Sequence, residues 1–213
     1  TGYLGLLFTA LILTINFRRI IDMLVIILVS SVGIYFLYQN VEDFRLRVDS
    51  YTNIISNDEL TIDDINSSSF VQYNNSQVAF TNFWSNPLFG TGFGSHQVAY
   101  EKYSLTKQSD FAIKSGFDFN SQDANSLFLR VVSEMGLLGI VFLILIVIRG
   151  FVIKPLYSSF RVNWIISGSI LILILLTYLR QGNYFLNGFP FFIMLYYYNW
   201  IDNKKHRLLL DEQ

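Results

Sequence analysis

Apolar and polar positions fall along this chain in long blocks, not at the short periods of a soluble core. Residues 1–15 are apolar and slightly short for a membrane crossing. Asn16, Phe17, Arg18 and Arg19 form a tight basic turn. Residues 20–38 then give an apolar run long enough for a hydrocarbon layer of roughly 30 Å. Residues 126–148 predict a third span, polar in its first half and aliphatic in its second. Residues 164–179 predict a fourth and residues 184–201 a fifth. In the fifth, Tyr196, Tyr197, Tyr198 and Trp200 resemble an interfacial aromatic belt. Residues 39–125 are polar and read as one large loop. Within it, residues 41–48 suit either a short helix or an extended segment. Residues 56–69 read as irregular, with Thr61 as an N-cap for a short acidic turn. Residues 78–84 predict an interfacial helix ending before Pro87. The expected fold is all-α: a polytopic helical membrane protein with about five transmembrane helices and one large outward-facing loop, a single membrane domain over residues 1–213.

Charge sharpens this picture. Charged residues are 15% of the chain against about one-quarter in soluble domains, while 52% are hydrophobic. Arg18 and Arg19, then Arg149, Lys154 and Arg161, then Lys204, Lys205 and Arg207 fall on one side if each segment crosses once. The positive-inside rule makes that side, and the C-terminus, cytoplasmic. Residues 39–123 then face outward, with eleven acids against five basic residues. There is no cysteine, which excludes disulfides, thiolate metal sites and cysteine nucleophiles. No group of residues has metal-ligand spacing, so no metal or other cofactor is expected, and no nucleic-acid partner. The chain opens at Thr1 inside an apolar run without a basic leader, which reads as the C-terminal part of a longer protein.

Chemistry concentrates near the predicted outer ends of the spans. Gly90, Gly92 and Gly94 punctuate one block; successive backbone N–H groups there can form an anion-binding nest, or the block is a tight turn returning the chain to the membrane surface. His96 follows, as a general base or as a structural hydrogen-bonding group. Asp123 is a candidate base for a substrate hydroxyl and equally a candidate N-cap of the third span. Asn125 offers a donor and an acceptor at the same depth. Arg130 and Glu134 share a helical face, with Ser126 one turn earlier. They suit either a diphosphate-binding arginine with its orienting carboxylate or an ion pair between helices. Arg180, at the outer end of the fourth span, is a second candidate phosphate ligand or a plain interfacial arginine. Lys102, Lys107 and Lys114 read as solvated loop charges.

The motifs also carry a resemblance. The opening Thr1-Gly2-Tyr3-Leu4-Gly5-Leu6-Leu7, the block from Pro87-Leu88-Phe89-Gly90 through Gly92 and Gly94, and Asp123-Ala124-Asn125-Ser126 followed by Glu134-Met135-Gly136-Leu137-Leu138-Gly139 resemble the O-antigen ligase and O-antigen polymerase superfamily. Many of its members have histidine immediately before the asparagine; Ala124 stands there in this chain, so that role does not transfer. The arginine usual upstream of the glycine block is also missing. The resemblance implies a glycosyltransferase of the bacterial inner membrane, acting at its outer face on an undecaprenyl-diphosphate-linked glycan. The expected activity is polysaccharide polymerisation onto a sugar hydroxyl of a second lipid-linked repeat unit, in surface or exopolysaccharide assembly. Its partners would be the lipid bilayer and the chain-length regulator and flippase of the same pathway. A ligase moving finished glycan to a lipid A core or protein is the alternative within the superfamily. A non-enzymatic transporter component is the alternative of another class. Asp123, His96 and Glu134 are the expected catalytic group, and Arg130, Arg180, Asn125, Gly90, Gly92 and Gly94 the expected substrate-binding group.

Overall fold

The structure is a computed structural model that describes residues 5, 8, 9, 12, 20–56, 67–108, 119–153 and 161–211. Thr61, Lys114, Lys154, Arg18, Arg19 and most of the first predicted span lie outside the described residues. Among those described, all regular structure is helical: α1 (Ile20–Asn40), α2 (Glu42–Ser56), α3 (Ser67–Ser85), α4 (His96–Tyr103), a 3-10 turn (Leu105–Gln108), α5 (Leu127–Arg149), α6 (Arg161–Arg180) and α7 (Phe189–Asp211).

By residue count and composition alone, α5 and α6 are long and apolar enough to cross a membrane, with only 39% and 33% of their apolar windows buried. The core helix of a soluble protein would be mostly buried. Much of α1 is likewise exposed and apolar, from Leu24 and Val25 to Tyr35 and Phe36. The interior lies between α5, α6 and α7, where Leu127, Val131, Leu143, Ile170, Ile174, Tyr178 and Tyr196 pack together. Ile12 joins them beside Gly168 of α6, and Gly5 lies beside Leu176 of the same helix. Polar ties fix the register. Ser167 Oγ donates to Gly150 O, Tyr196 Oη to Val147 O, and Asn199 Nδ2 to Asn163 O.

The structure changes three expectations. First, the predicted loop is largely helical where it is described. Glu42 and Asp43 favour the N-terminus of α2, and Tyr38 Oη holds Asp49 Oδ1 at 2.8 Å to close an α1–α2 hairpin. The expected short helix at 78–84 is the end of the 19-residue α3, which begins at Ser67. Its polar composition hid it: Asn74, Asn75 and Asn82 are buried against neighbouring elements, not turned to water. Secondly, the fifth predicted span starts later. Tyr184 lies in a turn, and α7 begins at Phe189 after Gly188 with φ +83. Thirdly, α5 is not straight. Gly136 has φ 60 and ψ −144. A Cβ on Gly139 would sit 2.5 Å from Val131 Cγ1; eight residues along a straight helix is about 12 Å. The helix therefore doubles back as two legs, residues 127–135 and 137–149. The second leg alone rises about 20 Å, short of a full crossing.

Candidate functional site

The bend in α5 frees backbone groups, and the glycine block satisfies them. Leu137 N–H donates to Pro87 O at 2.8 Å and Leu138 N–H to Leu88 O at 3.2 Å. On the other leg, Glu134 O accepts from Gly92 N–H at 2.8 Å. Ser133 O accepts from Asn82 Nδ2 at 3.0 Å. A helix broken in a buried setting must find such partners, since an unpaired buried backbone group costs about as much as a lost hydrogen bond. Two glycines make the splice possible. A Cβ on Gly90 would meet the Glu134 backbone at 2.4 Å, and one on Gly136 would meet Gly90 N at 2.7 Å. Gly92 and Gly94 also have positive φ, but open space surrounds them. The glycine block is thus first a backbone patch on α5, and Gly92 has already spent its N–H there.

The splice fixes Glu134, which is fully buried. Its Oε1 accepts from Arg130 Nε at 3.0 Å and, more weakly, from the His96 backbone N–H at 3.4 Å. Its Oε2 accepts from Tyr184 Oη at 2.7 Å. The Arg130 guanidinium lies 4.6 Å over the Tyr184 ring and donates through Nη1 to Gly182 O at 3.0 Å. The Arg130 side chain keeps 19% exposure, and its Nη2 has no partner among the described residues. Phe93 packs edge-on against Tyr184 at 5.6 Å. Tyr184 is therefore central to the cluster. Sequence reading placed it only as the first residue of a span; its one local signal is an aromatic hydroxyl four residues beyond Arg180.

The turn after α6 collects the remaining candidates. Gly182 abuts the Asp123 backbone so closely that a Cβ would overlap it. Arg180, at the start of that turn, donates through Nη1 to Gln72 Oε1 at 3.0 Å. It has no acidic partner among the described residues. Arg130 and Arg180 thus flank one turn but share no ligand among the described residues. Asp123 is not an N-cap. Its Oδ1 accepts from Asn125 N–H at 2.9 Å and from Asn120 Nδ2 at 3.2 Å, while Ser126 caps α5 and ties it to Tyr178 O. Asp123 and Asn125 are partly exposed. Asn120, Ala124 and Asn125 all have positive φ, so the segment is a coil of left-handed residues. Ala124 is fully buried with Ala79 and Leu129.

His96 is also fully buried. Asn75 Nδ2 donates to Val71 O and Phe119 O, so Asn75 Oδ1 must accept from His96 Nε2–H at 3.1 Å. The Nδ1 lone pair is left buried and unpartnered. Burial lowers the imidazole from 6.5 to about 4, against an opposing pull from Glu134. His96 is neutral at pH 7 and sits behind the Glu134 cluster, not on its surface. Among the described residues no group of acids and histidines could hold a metal ion.

Comparison of the chain with protein-family models, with curated proteins and with solved structures gives no match. The site therefore rests on its own geometry.

Proposed function

We propose that this protein is a membrane glycosyltransferase that moves a glycan from a lipid diphosphate, of undecaprenyl type, to a sugar hydroxyl on a second lipid-linked unit. It works at the outer face of a bacterial inner membrane, beside the bilayer, with the C-terminus cytoplasmic. One observation carries this reading. Glu134 pairs with Arg130, whereas among the described residues Arg180 meets only the neutral Gln72, so among those residues the turn holds one uncompensated cation next to a free guanidinium edge. A leaving diphosphate answers that charge pattern, and guanidinium groups match its oxygens.

The chemistry follows from the groups around the turn. The acceptor oxygen attacks the donor anomeric carbon, the carbon–oxygen bond to the diphosphate breaks, and the electron pair leaves with the diphosphate. Arg130 Nη2 and Arg180 stabilise that developing charge. Asp123, partly exposed and with Oδ2 unbonded among the described residues, takes the acceptor proton, and the Asn125 amide orients the hydroxyl. Glu134 and Tyr184 act through Arg130 as positioning residues. His96 supports the same cluster from behind.

Purified protein in lipid nanodiscs, supplied with a lipid-diphosphate oligosaccharide, tests the reading. The expected product is a ladder of longer chains, reduced on the order of 100-fold by Arg180→Ala. Full-length polymer from both Arg130→Ala and Arg180→Ala would refute it. Transfer to a lipid A core or protein without chain growth would indicate the ligase; no covalent product would indicate a transporter component.

A further inference from the structure

The turn between α3 and α4 carries side chains that the Glu134 cluster does not need. Trp84, Leu88, Phe89 and Phe93 are 76%, 58%, 71% and 73% exposed. No charged residue occurs between Asp64 and Glu101, a stretch in which a soluble surface would carry about one charge in every four residues. Four of its polar side chains, Asn74, Asn75, Asn82 and His96, are buried, while the uncharged Gln77, Thr81, Ser85, Asn86 and Gln97 stay exposed. A stretch without charge that leaves aromatic and leucine side chains bare suits a lipid solvent better than water.

The apolar surface also continues onto α5. Backbone bonds from Leu137 and Leu138 to the turn place Leu88 beside two exposed leucines. Val141, Phe142, Leu145 and Ile148 extend the exposed face along the second leg. At helical spacing these positions, with Leu137 and Leu138, sweep roughly 140°. One packed partner helix would cover a stripe of about 100°. The breadth favours a fluid occupant over a single protein partner.

We infer that the turn is a membrane wedge. Its aromatic and leucine side chains enter the acyl boundary of the leaflet beside the Glu134 cluster. This rests on the reading that the chain lies in a membrane, but not on the proposed sugar transfer. The N–H groups of Phe93 and Gly94 find no partner among the described residues, which sets the backbone at headgroup depth, where water and lipid oxygens can accept from them. Since Gly92 is bonded to the Glu134 carbonyl, the wedge holds the cluster at the depth of a lipid diphosphate.

The chain has tryptophan only at 84, 164 and 200, so Trp164→Phe with Trp200→Phe leaves Trp84 as the sole reporter. In nanodiscs whose lipids carry bromine near the glycerol end of the acyl chains, Trp84 should lose most of its emission and resist aqueous iodide. Quenching by iodide without quenching by brominated lipid overturns the wedge, because Trp84 then faces water. Protection from both quenchers also overturns it, because protein then covers the turn, whether a second copy or another segment. Leu145→Trp with all three native tryptophans replaced by phenylalanine is the reference. If it is quenched by brominated lipid and Trp84 is not, the wedge fails while the membrane reading stands. If neither is quenched by lipid, both fail.

Discussion

The two legs of α5 share one helix in sequence and little in environment. The leg at 127–135 is mostly buried and carries Arg130, Ser133 and Glu134, each bonded to another element. The leg at 137–149 is aliphatic and largely exposed, with Arg149 at its end. Between them stands Gly136, and the glycine block grips both legs at once. The difference teaches how a charged cluster is kept beside an apolar surface. The bend turns the ionic leg into protein, where Arg130, Ser133 and Glu134 each find a partner, and leaves the aliphatic leg largely exposed.

The sharpest way to break that contrast is to remove the bend. Gly136→Ala would place a Cβ 2.7 Å from two backbone atoms in a conformation that L residues avoid. A loss of about 3 kcal/mol or more is expected, read as a collapse of thermal stability in detergent. Gly92→Ala is the comparator. It has positive φ but open space, so about 1 kcal/mol is expected. Equal losses would mean that the close approach at Gly136 does not matter.

A smaller effect should separate the chemistry of the legs. Glu134→Gln keeps the shape but leaves the Arg130 guanidinium without its counter-charge. Glycan transfer should fall on the order of 100-fold, with rescue by Glu134→Asp at most partial because the shorter side chain cannot span both Arg130 and Tyr184. Leu145→Ala, on the exposed face of the other leg, should leave transfer unchanged. Equal activity in the Gln variant and the unaltered protein would remove Glu134 from the site.

The smallest expected effect is in pH. His96 is held near 4 by burial, below its unfolded value of 6.5. Its contribution to stability is therefore complete above about pH 6.5 and is lost as pH falls toward 4, because the unfolded chain takes up the proton first. The slope is at most about 1.4 kcal/mol per pH unit. Melting temperature measured from pH 7 to pH 5 should drop less in His96→Gln than in the unaltered protein, after normalising each to its value at pH 7. Parallel curves would show that His96 is not buried in neutral form.

Much of this was legible in the residues. The apolar blocks announced helices α1, α5 and α6, because solvation by lipid or core leaves the same coarse signature whatever the packing. The spacing of Arg130 and Glu134 announced their pair, because four residues return a helix to the same face. The helical character of residues 67–77 was not legible, since asparagine and serine signal loops unless a neighbour claims their hydrogen bonds. Asn75 does so with Val71, Phe119 and His96. Tyr184 escaped because its partner lies fifty residues away, and no local period records such a contact.

What the sequence alone determined was composition, helical blocks and the pairing of groups one turn apart, all of which depend on neighbours along the chain. What only the tertiary structure decided was the reversal at Gly136 and the use of the glycine block to complete it. A glycine permits a positive φ but does not demand one. The choice is made when distant carbonyls and N–H groups arrive to take the bonds that the broken helix gives up.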